Sequence, residues 1–417
     1  MNKREFLRTV GGVSLNAMFA PALLDRYARM PAEALAARDE FWDGIRARYR
    51  LTPDYINLEN GFFCLQPQEV LEAFIGHVRE INLEASHYMR TRRDDDKLRV
   101  RGRLAQLAGC STEELIVTRN TTESLDTVIA GFDWKAGDEA VMAEQDYGAM
   151  LDMFKLQARR YGLVNRVVSL PNHPKSDEEI VELYASAITP RTRLLMVAHM
   201  VNITGQILPV KAIADMAHEH GVQVMVDGAH ALGHLTFGIP ELGCDYYGSS
   251  LHKWLGTPLG AGMLYVRKDR IAGLWPIYGD EGVPPGDIRK LNHTGTHPVH
   301  TDLAIENAID FHEAIGIERK EGRLRYLQRY WSSQLRGVAN VVVNTPVEPR
   351  RSCAIANVGL TTMKPGDLAK VLLERYKVWT VAIDGAGVHG VRVTPHLFTS
   401  TGELDVFVRA MKELAVA

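Results

Sequence analysis

The chain has 417 residues, of which 46% are apolar and 24% are charged, an ordinary globular composition that is long enough for two lobes sharing a large core. Its formal charge of -3 provides no basic stripe for a phosphate backbone, so nucleic acid is not an expected partner. The four cysteines form no CxxC pair, and we expect them to be buried thiols.

Residues 1–36 contain a candidate export signal. Lys3 and Arg4 precede the mildly apolar run 9–24, a pattern similar to a twin-arginine signal in which lysine replaces the first arginine. This predicts a periplasmic protein. The alternative is an amino-terminal arm that packs on the body or on a partner subunit of a cytoplasmic protein. No run reaches the roughly 18 apolar residues of a spanning helix, so a stable membrane anchor is not expected.

Further along the chain, residues at helical spacing alternate with short apolar runs. Helices are predicted at 39–50, 69–83, 98–108 and 125–131. Strands are predicted at 114–118, 138–143, 165–170, 194–199, 222–226 and 246–250. This alternation is typical of a parallel sheet with helical connections. The arginine-rich stretch 90–99 is expected to be a solvated face or loop, although its arginines would also suit an anionic substrate.

The carboxyl-terminal part has a different pattern. Helical runs at 303–315 and 324–337 are followed by short strands at 341–343 and 391–393. Three glycines between 385 and 390 predict a flexible loop before the last strand. We therefore predict three parts: the signal or arm at 1–36, a large domain at 37–300 whose amino-terminal segment contributes to the small domain, and a small α+β domain at 301–417.

Polar residues follow two of the predicted strands. Asp227 comes at the end of one strand, and Ser250, His252 and Lys253 come at the end of the next. Carboxyl ends of strands in an open α/β sheet face one ligand crevice. Pyridoxal phosphate requires a lysine for its Schiff base and an acid opposite its pyridine nitrogen, while hydroxyl and imidazole groups can donate to its phosphate. The alternative is that Asp227 caps a helix and Lys253 is solvated.

Other polar residues are predicted to lie near the same crevice. Thr121 and Thr122 come where a helix begins, which is a place for a phosphate. Tyr147 follows a strand and can stack on a planar ring, and Asn202 can donate to a phenolic oxygen. Asn60 belongs to a turn that either approaches a ligand or simply reverses the chain. Each of these residues also fits an ordinary role as a cap, core or turn residue.

Ordered motifs across roughly residues 57–408 resemble the class V (fold-type I) pyridoxal-phosphate-dependent aminotransferase family, in particular its isopenicillin N epimerase-like branch. The motifs, in the order of the family, are NLENG, TRNTTESLDTVIAG, EQDYGAM, HMVNITG, VDGAHALG, SSLHKWLGTPLGAG, HTGTHPVHTDLAI and VRVTPHLFTS. The resemblance implies an α/β protein with the fold type I of these transferases. Its large domain has a mainly parallel seven-stranded sheet, and its carboxyl-terminal domain is a smaller α+β unit.

The resemblance also implies roles for individual residues. Lys253 would form the Schiff base, Asp227 would pair with the pyridine nitrogen, and Tyr147 would stack on the ring in place of a frequent histidine. The residues assigned to the cofactor are Thr121, Thr122, Tyr147, Asn202, Asp227, His230, Ser250, His252, Lys253 and Thr296. Thr296 would come from the other subunit of a homodimer with shared active sites. Arg392 and Asn60 are assigned to the substrate, with Arg392 binding an α-carboxylate.

The reaction is less defined than the cofactor. Cysteine desulfurases of this class have a cysteine shortly before the arginine, whereas residues 380–392 contain none and Cys353 is expected on a strand of the small domain. A persulfide mechanism is therefore disfavoured. We expect a small-molecule substrate that is an amino acid or a peptide, with transamination or deamination ranked first, epimerisation second and β-elimination third. A catalytically silent binding protein is the non-enzyme alternative.

A metal site is the remaining alternative. His293, His297 and His300, or His230 with His234, have spacings that a metal ion can use. Neither set brings an evident carboxylate partner, and each overlaps a motif assigned to the cofactor. No metal is therefore predicted.

Overall fold

The alternation of strands and helices produces a seven-stranded sheet in the computed structural model, which describes residues 21–279 and 281–416. The strands are β2 (Leu115–Thr118), β3 (Glu139–Ala143), β4 (Val164–Val168), β5 (Thr192–Ala198), β6 (Gln223–Asp227), β7 (Tyr246–Ser250) and β8 (Gly262–Val266). Their order is β2-β8-β7-β6-β5-β3-β4. Only β8 runs antiparallel to its neighbours, so the sheet is mainly parallel, as predicted.

Helices connect and surround these strands. They are α1 (Pro21–Arg26), α2 (Ala32–Ala36), α3 (Asp39–Arg46), α4 (Gln68–Glu84), α5 (Ser86–Thr91), α6 (Arg93–Ala108), α7 (Thr121–Gly131), α8 (Gly148–Tyr161), α9 (Asp177–Ser186), α10 (Val210–Glu219), α11 (Val299–Ile315), α12 (Ile317–Leu335), α13 (Pro365–Tyr376) and α14 (Thr401–Ala415). In the part of the chain that the structure describes, no helix combines the length and the apolar character needed to cross a membrane.

The central strands of the sheet are buried on both faces. Val224 and Val226 of β6 belong to one hydrophobic cluster, whereas Met225 between them belongs to another. Successive side chains of a strand point to opposite faces, so the two clusters cover opposite faces of the sheet. A strand covered on both faces requires apolar residues in an unbroken run, which is why the sequence of β6 does not alternate.

The small domain contains a four-stranded antiparallel sheet. Its strands are β9 (Val341–Val343), β10 (Ala356–Leu360), β12 (Val381–Gly385) and β13 (Val388–Val393), in the order β12-β13-β10-β9. Trp331 of α12 and Phe407 of α14 pack edge to face, with ring centroids 5.3 Å apart, in the core of this domain. A separate parallel pair of β1 (Ile56–Asn57) and β11 (Val378–Trp379) joins the amino-terminal segment to it.

The predicted division into residues 1–36, 37–300 and 301–417 stays a prediction. The helix α11 follows the boundary at 300, yet it packs on α4 and α6 and contributes to the larger hydrophobic cluster. Residues 1–20, which include the twin-arginine-like motif, lie outside the described residues. The helix α2 packs on α12, and its Leu35 is fully buried.

Two segments for which a loop was predicted, in the first case as an alternative to a solvated face, are regular structure. Residues 90–99 lie largely in α5 and α6, where Arg92 donates to Glu80 at 2.9 Å and to Glu84 at 3.1 Å. The glycine-containing segment before Arg392 forms the β12–β13 hairpin, so the prediction of a flexible loop is wrong. A Cβ at Gly390 would lie 2.5 Å from a backbone oxygen of β10, which shows that glycine permits close packing in the sheet there.

Candidate active site

A cavity of about 220 Å³ lies where the carboxyl ends of β5, β6 and β7 meet the amino terminus of α7. It is lined by Gly61, Phe62, Asn120, Thr121, Thr122, Tyr147, Met150, Ala198, Met200, Asn202, Asp227, Ala229, His230, Ser250, His252, Lys253 and Arg392. The structure therefore brings together every predicted site residue except Asn60 and Thr296.

Lys253 follows β7 and has an unusual environment for a lysine. Burial lowers the pKa of its amine from 10.5 to about 8. The nearby carboxylate of Asp227 raises this pKa, and the guanidinium of Arg392 lowers it. At pH 7 roughly a tenth of the amine is therefore unprotonated, far more than in a free lysine, so Lys253 is suited to act as a nucleophile and as a base.

Asp227 is the last residue of β6 and is buried in the wall of the cavity. Its Oδ1 accepts a hydrogen bond from the backbone N–H of Ala229 at 3.0 Å. Burial raises the pKa of this carboxyl group, and the neighbouring Lys253 opposes the shift. A cationic group placed against Asp227 in the cavity would offset the cost of its burial.

His230 connects Lys253 to the indole of Trp254. Burial, followed by the charge of Lys253, lowers the pKa of His230 well below its ordinary value, so the ring is neutral. Trp254 donates its Nε1–H to His230 Nδ1 at 3.2 Å, which assigns the ring proton to Nε2. His230 Nε2 lies 3.2 Å from Lys253 Nζ. A hydrogen bond between them needs an unprotonated amine as acceptor, so His230 favours the neutral form of Lys253.

The amino terminus of α7 forms an anion-binding corner of the cavity. Asn120 caps the helix by accepting from the N–H of Glu123 at 2.9 Å, so the cap is not one of the predicted threonines. Ser250 Oγ accepts from the Thr121 N–H at 3.0 Å and lies 2.7 Å from Thr121 Oγ1. Hydroxyl groups at a helix amino terminus suit a phosphate, as predicted for Thr121, Thr122 and Ser250.

His252 lies in the same corner with one ring nitrogen already engaged. Its Nδ1 donates to the carbonyl of Ala261 at 3.3 Å, because a carbonyl oxygen can only accept. Burial, together with the charge of Lys253, lowers the pKa of His252 to about 4. The neutral ring therefore presents Nε2 as an acceptor. His252 has to gain a proton before it can donate to a phosphate, and the charge of a phosphate favours that proton.

The aromatic and amide residues predicted for the ring lie at the mouth and side of the cavity. Tyr147 precedes α8 and is 46% exposed, so its ring is accessible to a planar ligand. Asn202 contributes its backbone carbonyl, which accepts from Arg392 Nη1 at 3.2 Å. Asp146, directly before Tyr147, is buried, and its Oδ2 accepts from the Ala143 N–H at 2.8 Å. Burial and the nearby Asp227 raise the pKa of this carboxyl to about 8.

Arg392 reaches the cavity from β13, but the Nε and Nη2 donors of its guanidinium are already engaged. Its Nε donates to Glu59 Oε2 at 3.1 Å, and its Nη2 donates to Glu59 Oε1. Both side chains are buried. The bidentate contact predicted for a substrate carboxylate is therefore occupied by a carboxylate of the chain itself. Sequence reasoning missed Glu59, and its only signal was an acid directly before the Asn-Gly turn.

Two predicted residues lie outside the cavity lining. The Nδ2 of Asn60 donates to the backbone oxygen of Thr394 at 2.8 Å, and its Oδ1 accepts from Asn57 Nδ2 at 3.0 Å. Asn60 is fully buried, so the structure engages its side chain in holding the turn. Thr296 is exposed on the surface of its own chain. Its assignment to the active site of a partner subunit stays a prediction.

The four cysteines do not supply a nucleophile to the cavity. Cys353 is fully buried just before β10, so its predicted position on a strand is wrong by a few residues. Burial raises the pKa of Cys64, Cys110 and Cys353 to about 12 and that of Cys244 well above its ordinary value. These thiols remain protonated at neutral pH and are poor nucleophiles.

Three of the five histidines considered for a metal, His230, His234 and His297, have other polar partners. His230 and His234 lie in a turn after β6, and His234 Nε2 accepts from the Ala354 N–H at 3.0 Å. His297 Nε2 pairs with Asp302 at 2.9 Å. In residues 21–279 and 281–416, no three or more histidine, cysteine or acidic side chains come together in a group that could hold a metal ion.

The pKa of Lys253 gives a direct prediction for the cofactor-free protein. We expect the rate at which an amine-reactive reagent labels Lys253 to rise about tenfold per pH unit below pH 8 and to level off above about 8. The label is measured by mass spectrometry of the Lys253 peptide. Free N-acetyl-lysine, with a pKa of ~10.4, is the control. A Lys253 rate that follows the control up to pH ~10 would contradict the assignment.

The chain is similar to known proteins over most of its length. The profile of the family described as aminotransferase class-V matches residues 64–410. A protein of Amycolatopsis lactamdurans described as isopenicillin N epimerase is 32% identical over 337 residues, which are 76% of this chain and 84% of that protein. A probable cysteine desulfurase of Halalkalibacterium halodurans is 28% identical over 333 residues, which are 76% of this chain and 80% of that protein.

A solved structure shares the fold. A lysine-to-alanine mutant of C-DES, with glycine covalently linked to its PLP cofactor, superposes with a TM-score of 0.78 at 20% identity. The match covers 88% of this chain and 99% of that chain. This likeness and the sheet topology confirm the predicted fold class, fold type I with a mainly parallel seven-stranded sheet and a smaller carboxyl-terminal domain.

Proposed function

The chain belongs to the class V aminotransferase family, and on this premise we propose that it acts at Cα of an amino acid or an amino-acid-containing peptide. The reaction proposed first is transamination or a related deamination. Members of this family are enzymes that depend on pyridoxal 5'-phosphate, so the family, the enzyme class and the cofactor predicted from the sequence are confirmed. The alternative of a catalytically silent binding protein is not retained.

The side chains of the cavity fit this cofactor. The amino terminus of α7, with the hydroxyl groups of Thr121 and Ser250, suits a phosphate. Lys253 supplies an amine for the aldehyde, and its lowered pKa makes that amine nucleophilic. Asp227 supplies a buried acid whose charge would be offset by a protonated ring nitrogen. The three groups that the cofactor needs therefore line one cavity.

The cofactor, when bound, supplies an electron sink that stabilises negative charge at Cα. The chain does the rest with its own residues. Lys253 Nζ would take the proton from Cα, and the Nε2–H of His230 favours the unprotonated form of that amine. Asp227 would hold a proton on the ring nitrogen, and Tyr147 would contact the ring from the mouth of the cavity. Arg392 orients the group attached to Cα.

The choice of transamination rests on the pKa values of the basic groups that line the cavity. Among the described residues that line the cavity, Lys253 has a pKa of about 8, while the pKa of His252 falls to about 4 and that of His230 falls well below its ordinary value. The arrangement thus supplies Lys253 as the base for proton transfer near neutral pH. A proton that one amine both removes and returns stays on one side of Cα, whereas epimerisation requires delivery to the opposite face.

Epimerisation is the second candidate because a relative at 32% identity is described as isopenicillin N epimerase. It requires a proton donor on the face of Cα opposite Lys253, and the hydroxyl of Tyr147 is the group available at the mouth of the cavity. Elimination of a β-substituent is the third candidate. It needs no nucleophilic thiol, so the buried cysteines do not argue against it.

The experiment that tests the proposal is a visible absorption spectrum of the purified holoprotein while candidate amino acids are added, with product analysis of the same samples. A keto acid without inverted amino acid supports transamination or deamination. An inverted amino acid with no keto acid contradicts it in favour of epimerisation, and release of the β-substituent contradicts it in favour of a lyase. A wild-type protein that shows no visible band with added pyridoxal phosphate contradicts the proposal as a whole.

The assembly and location of the enzyme are further parts of the proposal. A homodimer with shared sites is supported by exposed apolar side chains, among them Phe62 at the cavity, Leu259 and Trp275. Light scattering of the purified protein tests it. Export to the periplasm is supported by Lys3 and Arg4 before an apolar run, and recovery of the full-length protein from the cytoplasmic fraction alone would contradict it.

A further inference from the structure

The chain places a carboxylate of its own on the arginine of the cavity. Glu59 accepts from Arg392 Nε at 3.1 Å and from Arg392 Nη2, and Arg392 Nη1 donates to the Asn202 carbonyl at 3.2 Å. The side chains of Arg392 and Glu59 are 8% and 5% exposed. Water therefore screens this ion pair only weakly.

The chain around Glu59 is shaped to hold this pair. The backbone N–H of Phe62 donates to Glu59 Oε1 at 3.1 Å, the same oxygen that accepts from Arg392 Nη2, which fixes the position of the carboxylate. A Cβ at Gly61 would lie 3.0 Å from Arg392 Cζ, so glycine allows the backbone to lie against the guanidinium. Glu59 also forms a parallel bridge with Thr394, two residues after Arg392.

Two consequences follow for a ligand that carries a carboxylate. Glu59 and Asn202 use three of the five N–H donors of Arg392, which leaves one on Nη1 and one on Nη2. The negative charge of Glu59 cancels the charge that would attract the ligand. Displacing Glu59 would leave a buried carboxylate without its cation, which is strongly unfavourable, so the pair stays in place when a ligand enters.

We propose that Glu59 is a specificity-determining residue that neutralises Arg392 and lowers the affinity of the cavity for a substrate with an ionised α-carboxylate, relative to one with a neutral amide there. The inference rests on the proposed function, because it concerns the group attached to the reacting Cα. The proposal attributes the selectivity to the charge of Glu59. The variant Glu59→Gln tests this, because glutamine removes the charge but preserves the shape of the side chain and the acceptor for the Phe62 N–H.

The test compares L-alanine with L-alaninamide as ligands of the holoprotein, followed by the change in visible absorption. We expect Glu59→Gln to bind L-alanine about tenfold more tightly than wild type and to bind L-alaninamide within about twofold of wild type. With any substrate that turns over, the change is expected in KM and not in kcat. Equal affinity of the two proteins for L-alanine, or an equal gain for the amide, overturns the proposal.

The control variant is Glu348→Gln, which removes a carboxylate from the buried Arg351 outside the cavity and should leave both affinities unchanged. If Glu59→Gln does not fold, wild type alone decides, with affinities compared at equal free-amine concentration. A preference of more than about tenfold for L-alanine overturns the proposal, and a smaller preference supports it. The proposed function fails separately, through a holoprotein with no Lys253-dependent visible band.

Discussion

Replacement of Lys253 by alanine is expected to reduce turnover by at least ~10³-fold and to abolish the visible band of the protein incubated with pyridoxal phosphate. In the proposed mechanism, the amine that binds the aldehyde and the base that removes the Cα proton are the same atom, so one substitution removes both. Because burial disfavours the charged amine in the folded state, the variant is expected to fold at least as well as wild type.

Absorption spectroscopy with and without borohydride reduction, followed by mass spectrometry of the attachment site, measures this result. Lys290→Ala provides a matched control, because Lys290 is also buried but lies outside the cavity lining. The control should keep the band and the activity. A Lys253→Ala protein that retains a reducible visible band would assign the attachment to another lysine and would remove the basis of the proposed mechanism.

Replacement of Asp227 by asparagine is expected to lower turnover roughly 10²–10³-fold, with opposite effects on the activity of the holoprotein and the stability of the cofactor-free protein. An amide keeps the acceptor for the Ala229 N–H but cannot hold a positive charge on the ring nitrogen. Cofactor affinity should fall for the same reason.

The stability effect follows from the pKa of Asp227. Burial raises the pKa of Asp227 in the folded state above its unfolded value of ~3.9. The contribution of the protonated carboxyl to the free energy of unfolding is therefore fully present below pH ~3.9 and is lost as the pH rises through the folded pKa. Asp227→Asn retains this stability at all pH values. The variant without cofactor should therefore have a higher Tm than wild type at pH ~7, and the difference should vanish below pH ~3.9. A lower Tm at neutral pH would show that the buried charge stabilises the empty site.

The sheet and its catalytic edge could be predicted from sequence because both depend on local patterns. The strand β7 was predicted at 246–250 and lies at Tyr246–Ser250. All five of its residues are buried, although only its two tyrosines are large apolar side chains. The neighbouring β6 is marked by the apolar run 224–226, as a strand covered on both faces requires. Once β6 and β7 are parallel neighbours, Asp227 and Lys253 must lie at the same edge.

The contacts that tune the site could not be predicted in this way. Glu59 and Arg392 are separated by 333 positions, and no local pattern indicates which carboxylate meets which arginine. Trp254 lies next to Lys253 in the sequence, yet only the fold shows that its indole donates to His230. Asn60 was predicted to contact the substrate, whereas it lies outside the cavity lining. A polar turn residue next to the cavity cannot be distinguished in sequence from one that contacts the ligand.

The pairing of β1 with β11 connects the Glu59 segment to the part of the chain that carries Arg392. Ile56 pairs with Val378, and Asn57 pairs with Trp379. The segment that leads to Glu59 is therefore attached to the small domain, which also carries Arg392. A displacement of the small domain would therefore carry both charges together and preserve their ion pair. It would change only the distance from Arg392 Nη1 to the Asn202 carbonyl.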